Sequence, residues 1–360
     1  MDTVAVETIR CPACRGELER RALSDADGVL LCERCRTWYP IESDTPVMLR
    51  FPTPFHRRFG SAHASELGGF HAPAGSPRTG EEAVQETFTD QWDITRADEL
   101  SFTYTTDELV ELNRRVWLRW LADLPADERP RRVLDVGAGA GAETLALREL
   151  LPDAEIHGID LNFALLRRRP EYRDLPDTRF AVASLFDLPF ADETFDLVYS
   201  QGVIHHTYST EDAFASIASR VRPGGHLFVW VYGLDDHLAP GGASPLSKRL
   251  NWTAEQVLRP ALTRAPRPAR DAMFKALTTV WHPRMKGNQR HGGDWTRQNT
   301  EHALRDWLSP RYARRHGFNE VTEWFERAGF RVIDTQSPSA YAELFGQPLW
   351  GVGMTGVKRT

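Results

Sequence analysis

Cysteine is scarce in this 360-residue chain: there are four, all before residue 36. A disulfide framework spread over a secreted fold is thereby excluded, and the four belong to one local structure. No run of 18 uncharged apolar residues occurs, which excludes a membrane-spanning helix of the usual kind. Met1-Asp2-Thr3-Val4-Ala5 has neither the basic nor the apolar region of a secretion signal, so a cytoplasmic protein without membrane contact is expected. An excess of positive charge is also lacking: 44 Lys plus Arg face 50 Asp plus Glu, for a net charge of −6. The chain as a whole therefore does not attract nucleic acid, although a local basic patch is compatible with that balance. With 41% hydrophobic and 26% charged residues, what remains is an ordinary globular composition, long enough for one large domain or a few smaller ones.

The four cysteines form two pairs, Cys11-Pro12-Ala13-Cys14 and Cys32-Glu33-Arg34-Cys35, separated by seventeen residues. This spacing is that of a zinc site. Each pair can form a knuckle that aims two thiolates at one ion, and two knuckles complete a closed tetrahedron, so the metal would be structural. A segment of about fifty residues buries too little apolar surface to fold alone, and metal binding would supply the deficit. A redox dithiol pair is the competing reading. Residues 1–50 hold seven basic and nine acidic side chains, a balance that does not favour RNA.

Residues 51–87 turn to Pro, Gly, Ser and His with little apolar periodicity and are expected to be a linker, with His56, His63 and His71 solvated. Residues 88–130 carry apolar positions at helical spacing from Asp107 to Leu124. Residues 131–232 alternate short apolar runs, at Val133–Val136, Glu155–Ile159, Phe195–Tyr199 and Leu227–Val231, with helical patterns. Such alternation implies an α/β fold with a parallel, doubly wound sheet. Residues 233–315 interrupt it, and residues 316–360 resume it with a helix, the strand Phe330–Ile333 and a last apolar run that can pair with that strand.

Gly137-Ala138-Gly139-Ala140-Gly141 follows the first of these strands and opens a helix, so its backbone can approach a ligand closely. Asp160, 23 residues after Gly137, stands where a dinucleotide fold places its ribose-binding acid, so nicotinamide or flavin chemistry competes on this evidence alone. Asp135, two residues before the first glycine, would face a pyrophosphate unfavourably and suits a cationic ligand.

Two longer segments decide the choice. "FAVASLFDLPFADETFDLVYSQGVIHHT", followed by "IASRVRPGGHLFVWV", resembles the second half of class I S-adenosylmethionine-dependent methyltransferases. Around the cysteines, "CPACRGEL" and "LLCERCRTWYPIESDTPVML" resemble the small zinc-ribbon proteins that activate methyltransferases as partner subunits. These resemblances imply a doubly wound, seven-stranded Rossmann-like methyltransferase sheet with an N-terminal zinc ribbon and a helical lid insertion. They imply S-adenosylmethionine and structural zinc as cofactors. Carried over residue by residue, Asp135 and the loop of Gly137, Gly139 and Gly141 would cradle the methionine part and Asp160 would hold both ribose hydroxyls. Leu161 would pack on the adenine, and Gln201 would line the same pocket. The family commonly has an Asp where this chain has Ser184, so adenine recognition is expected from Ser184 and the backbone of Leu185, with Asp187 capping its loop. Cys11, Cys14, Cys32 and Cys35 would hold the zinc.

Methyl transfer from a sulfonium is an in-line displacement in which alignment and exclusion of water matter most, and a general base is needed only where the acceptor must lose a proton. His205 and His206 follow the strand that ends near Tyr199, at the edge of the sheet where such folds place substrates, and are the candidate bases. Packing within the loop is the alternative. Phe88-Thr89-Asp90-Gln91-Trp92 is expected either to fold over the cofactor pocket or to form a surface helix. From 246 to 318 there are fifteen Lys or Arg against five acids. Two readings stand: a lid whose arginines pair with a small acceptor bearing phosphate or carboxylate, and solvated helix faces with arginines stacked on Trp281, Trp295 and Trp307. The expected reaction is methylation of a small metabolite. The alternatives are a ribosomal RNA or tRNA base methyltransferase gripping RNA through its ribbon, and a binding module with a vestigial cofactor site.

Overall fold

A computed structural model of the chain describes residues 8–24, 27–92, 104–167, 175–234, 245–285, 296–346 and 349–360. Four short antiparallel strands come first: β1 (Glu19–Ala22), β2 (Gly28–Cys32), β3 (Thr37–Glu42) and β4 (Thr45–Met48). Helices α1 (Pro54–Ala62) and α2 (Glu81–Gln91) follow. The pattern expected as one helix up to Leu124 is α3 (Thr106–Leu112) continued by a π-helical turn, Asn113–Trp117, and a 3-10 turn, Arg119–Asp123. The alternating part comprises β5 (Arg132–Val136), α4 (Ala142–Leu150), β6 (Glu155–Asp160), β7 (Thr178–Ala183), β8 (Phe195–Gln201), α5 (Thr210–Ala218) and β9 (Val221–Val231). Three helices, α6 (Pro245–Arg264), α7 (Arg267–Met285) and α8 (Arg297–Leu308), interrupt it before α9 (Phe318–Arg327), β10 (Phe330–Thr335), α10 (Pro338–Phe345) and β11 (Val352–Lys358).

The strands lie in the order β1-β2-β3-β4-β7-β6-β5-β8-β9-β11-β10. From β7 to β9 they are parallel, and β11 runs antiparallel between β9 and β10. The seven expected strands are thus present, but the sheet has eleven among the described residues, because the ribbon joins it. Strand β4 pairs in parallel with β7, Val47 opposite Val182 and Met48 opposite Ala183. This pairing covers a strand that would otherwise present an unpaired edge.

Alternation along β4 fits both layers. Val47 and Leu49 pack with Leu165, Phe180 and Val182 on one face, while Met48 packs with Ala181, Ala183, Leu188 and Phe190 on the other. Cys11, Leu18, Leu30, Tyr39 and Ile41 join that second cluster, so the ribbon's apolar residues are buried against the main body.

Residues 51–87 are not the linker that their composition suggests. Thr53 caps α1 in a reciprocal capping box with His56, and Pro54 occupies the first turn, where its missing N–H costs nothing. Phe55, His56 and Leu67 are buried, and α2 begins at Glu81, inside the expected linker. Arg222-Pro223-Gly224-Gly225 lies within β9, where the register against β8 shifts between Phe195 and Leu197. The C-terminal pair of strands contains an extra helix, α10.

Gly158 shows how closely helix and sheet approach. A Cβ there would lie 2.8 Å from two Phe180 ring carbons and 2.8 Å from Thr144 Oγ1 on α4. Gly158→Ala is expected to destabilise the fold by about 1–3 kcal/mol through overpacking. Urea unfolding checks this, and unchanged stability would show that α4 does not seat on the sheet at this point.

Candidate active site and metal centre

At the ribbon, the Sγ atoms of Cys11, Cys14, Cys32 and Cys35 all lie within 4.8 Å of one another. Cys11 and Cys35 are 3.6 Å apart and Cys14 and Cys32 3.4 Å, close to the roughly 3.8 Å edge of a tetrahedron with metal–sulfur bonds of about 2.3 Å. Each knuckle closes on a left-handed residue, Arg15 at φ 64° and Arg36 at φ 53°. A four-thiolate set with this geometry suits zinc and leaves no open position for substrate. The first knuckle is also fastened to the main body. Arg15 donates to the carbonyls of Leu188 and Phe190, and the Arg10 N–H to that of Pro189 at 2.9 Å.

The carboxyl ends of β5, β6, β7 and β8 open into a cleft with about 880 Å³ of empty space, open solvent included. Gly137 and Asp160 line it together with Leu161, Ser184, Leu185, Gln201 and His206. The glycine loop needs its glycines: Gly137 has φ 91°, and a Cβ there would sit 2.1 Å from Val203 Cγ2. Asp160 fixes the loop, its Oδ2 accepting from the Gly139 N–H at 2.9 Å and its Oδ1 from the Asn162 N–H at 2.8 Å. Burial raises its carboxyl above the usual range, and these hydrogen bonds pull it back.

Four expected site residues are not among the lining of the cleft: Gly139 and Gly141, further along the glycine loop, and two whose side chains point elsewhere, Asp135 and His205. Asp135 is 1% exposed, accepts from Thr144 Oγ1 at 2.5 Å beneath the glycine loop, and does not line the cleft. Burial pushes its carboxyl up to about 7, with the Thr144 bond opposing and the nearby Asp160 adding to the rise. Its task in the structure is to hold α4 to β5. His205 is fully buried, packs on Tyr232 with ring centroids 4.0 Å apart, and has no hydrogen-bond partner at either ring nitrogen. Burial moves it well below the usual histidine range. His205 therefore packs, whereas His206 faces the cleft.

His206 Nδ1 donates to the Tyr312 carbonyl at 2.9 Å, because a carbonyl can only accept. The neutral ring then carries its lone pair on Nε2. Burial lowers its pKa from the ordinary 6.5, opposed by Asp306 and the Tyr312 carbonyl. Phe88 lies 5.1 Å from the ring.

Helix α2 forms the outer wall through Glu81, Val84 and Phe88, and Trp92 follows it. A Cβ on Gly139 would touch the Trp92 ring at 3.1 Å, so the glycine loop and this indole require each other's shape. The two readings for Phe88–Trp92 meet in the structure: Phe88–Gln91 end helix α2, and Phe88 and Trp92 line the cleft. Gln85 donates to the Leu161 carbonyl at 2.9 Å, and Thr89 Oγ1 accepts from the Phe163 N–H at 3.0 Å. Ser184 donates to the Glu81 carboxylate and accepts from the Phe186 N–H at 3.2 Å. Asp187 pairs with Arg50 at 2.8 Å and Arg78 at 3.3 Å, closing the loop over the ribbon's exit.

No Lys or Arg is among the described residues lining the cleft; the insertion contributes Asp306 and Tyr312. Its arginines are engaged elsewhere. Arg267 and Arg270 hold Asp90 of α2 at 3.0 and 3.1 Å, Arg315 holds Glu255 at 3.0 Å, and Arg305 holds Asp271 and Glu301. Of the two readings of the basic insertion, the arginine-lined cleft is not found among the described residues; Arg267 and Arg270 join the insertion to α2, while Arg305 and Arg315 pair with acids inside it. Arg305 also stacks on Phe274 at 4.7 Å, and Trp295 lies outside the described residues. Glu81, Asp306, Tyr208 and Tyr312 were not singled out from the sequence. Glu81 lay in a presumed linker, and the others carried no motif.

This sheet, with its cleft at the strand tips and an antiparallel strand inserted at one edge, is that of a Rossmann-like methyltransferase. Residues 134–229 match the family described as methyltransferase domain, and residues 6–43 the family described as Trm112p-like protein. The chain joins a methyltransferase domain to an N-terminal Trm112p-like zinc-ribbon domain. It is 35% identical over 116 residues to the demethylmenaquinone methyltransferase of Thermus thermophilus, covering 31% of this chain and 52% of that protein. It is also 35% identical over 131 residues to the malonyl-[acyl-carrier protein] O-methyltransferase of Halorhodospira halophila, covering 35% of this chain and 44% of that protein. The chain thus spans about half the length of these curated relatives. Among solved structures, the complex of the Haloferax volcanii Trm112 methyltransferase activator with a methyltransferase aligns at a TM-score of 0.45 and 17% identity, over 77% of this chain and 98% of that one.

Cys14→Ser should lower bound zinc, read by atomic emission, and depress the thermal midpoint by roughly 5–15 °C, since loss of a structural metal costs several kcal/mol. A metal-poor variant of parental stability would remove the structural role.

Proposed function

We propose that this chain is an S-adenosylmethionine-dependent methyltransferase acting on a small molecule, with a zinc ribbon that braces its cofactor pocket. The observation that carries this reading is the convergence, in one cleft, of Gly137 at the end of β5 and Asp160 at the end of β6, within a stretch of chain matching the methyltransferase family. A nicotinamide-binding sheet has its strands in the order 3-2-1-4-5-6, without the inserted antiparallel strand found here between β9 and β10. The carboxylate of Asp160 suits two ribose hydroxyls, Leu161 suits one face of the base, and Gln201 stands beside the glycine loop.

When bound, the cofactor supplies a methyl group already activated on a positively charged sulfur. The residues of the chain then have three tasks. Glu81, Asp160 and Asp306 make the cleft favourable for a cation. Phe88, Trp92, Tyr208 and Tyr312 line it with aromatic surface that orients an acceptor and excludes water. His206, with Nδ1 committed to Tyr312, offers Nε2 to take a proton from a hydroxyl or ammonium acceptor. A described lining that holds three acids and no Lys or Arg favours a neutral or cationic acceptor over a phosphate- or carboxylate-bearing one. The same lining does not support an RNA backbone.

Asp160→Ala should weaken S-adenosylhomocysteine binding by about 1.5–3 kcal/mol, as for lost hydrogen bonds to a charged group. Calorimetry reads this directly, and unchanged affinity would displace the cofactor from this cleft. For His206, a lowered pKa keeps the ring neutral and basic down to pH values below 6.5. Nitrogen-15 NMR should show the tautomer protonated at Nδ1 at pH 7 and a titration midpoint under 6.5, and a midpoint above it would argue against the base assignment.

A further inference from the structure

We propose that Glu81 is the residue that selects adenine as the base of the bound donor, helix α2 supplying the carboxylate that the loop after β7 lacks. The inference rests on the methyltransferase reading above and adds to it a specificity residue from outside the parallel core.

The position after β7 is Ser184, whose hydroxyl is already committed: its proton goes to Glu81 and it accepts from the Phe186 N–H. Asp187, three residues on, is spent on Arg50 and Arg78. Glu81 is the carboxylate remaining against this wall, and it lines the cleft beside Ser184, Leu185 and Leu161 while being only 6% exposed. It is held from behind by two donors, the Ser184 hydroxyl on Oε1 and the Arg78 N–H on Oε2 at 2.7 Å. A carboxylate has about four acceptor positions, and these two donors leave about two of them unused. Helix α2 is fastened to the chain beside Leu161 through Gln85 and Thr89, so Glu81 stands at a fixed distance from the residue proposed to pack on the base. Burial raises its carboxyl above the usual range, opposed by the Ser184 and Arg78 hydrogen bonds and by its place in the first turn of the helix.

The adenine edge presents an exocyclic amine, which donates to such an oxygen. Hypoxanthine has a carbonyl oxygen there instead, which a carboxylate repels. A site built to accept from an amine rejects the analogue lacking it by a large factor, because its own buried group is left unpaired.

Calorimetry with S-adenosylhomocysteine and S-inosylhomocysteine, on the full zinc-loaded chain, tests this. The unaltered protein should prefer the adenosyl compound by about 100-fold or more. Glu81→Ala and Glu81→Gln should bring the two affinities within a few-fold of each other, and Glu81→Ala combined with Ser184→Asp should restore the preference. Because the readout is a ratio within one preparation, a partly unfolded variant still reports it. If the adenosyl compound binds and its preference survives both Glu81 substitutions, the Glu81 assignment falls alone. If the unaltered chain binds neither compound, the methyltransferase reading falls and this inference with it.

Discussion

The short backbone seam between β4 and β7 is the constraint on which the rest depends. It consists of two residue pairs, Val47 with Val182 and Met48 with Ala183, yet it fixes two things at once. On the near side it sets the first cysteine knuckle against the loop of Leu188 to Phe190, where Arg10 and Arg15 reach the backbone carbonyls. On the far side it sets the point from which the chain leaves for α1 and α2, and hence where Glu81, Phe88 and Trp92 arrive over the strand tips. The ribbon and the cleft wall are therefore one mechanical piece. A ribbon this small gains its stability from metal and from apolar surface that is completed only by the larger body, as the cluster shared by Cys11, Tyr39, Met48 and Phe190 shows.

The same economy explains the charges. An insertion rich in arginine beside an acid-lined cleft is a contradiction only if the arginines face inward. They face the acids of neighbouring helices instead, and Arg267 and Arg270 clamp Asp90 while Gln91 holds Asp306 at 2.9 Å. Partly buried pairs of this kind add little net stability but penalise any other docking, because separating them leaves a desolvated charge. Their consequence is a defined position for α2, which a merely apolar contact would allow to slide.

What was legible in the sequence is what covalent spacing dictates. The two C-x2-C pairs, the glycine loop after a strand and Asp160 at the next strand tip all depend on local geometry, and all lie where their spacing implied. Side-chain direction was not legible. Asp135 and Asp160 both stand at strand ends, but Asp135 turns under the loop to Thr144, a partner nine residues away on a helix whose docking is a tertiary fact. His205 and His206 are adjacent, and only the Tyr312 carbonyl, from a distant segment, tells the packed ring from the one facing the cleft. Residues 51–87 misled for a related reason. Proline and glycine mark helix starts and turns as readily as linkers, and Phe55 and Leu67 find their apolar partners far along the chain or in the ribbon.

Under the proposed reaction, the acid lining has a consequence for turnover as well as for binding. A cleft bearing Glu81, Asp160 and Asp306, walled by aromatic rings, holds a cation more tightly than a neutral molecule of the same shape, because Coulomb attraction strengthens as water is excluded. These acids would attract a sulfonium donor and would attract the neutral thioether left after transfer less, so the same residues would assist entry of the donor more than they retain its product. An arginine-lined cleft would work in the opposite sense, repelling the donor and retaining an anionic product. The proposed chemistry is served by the pairing of Arg267, Arg270, Arg305 and Arg315 with acids of α2 and of the insertion itself, which holds these four arginines out of the cleft lining.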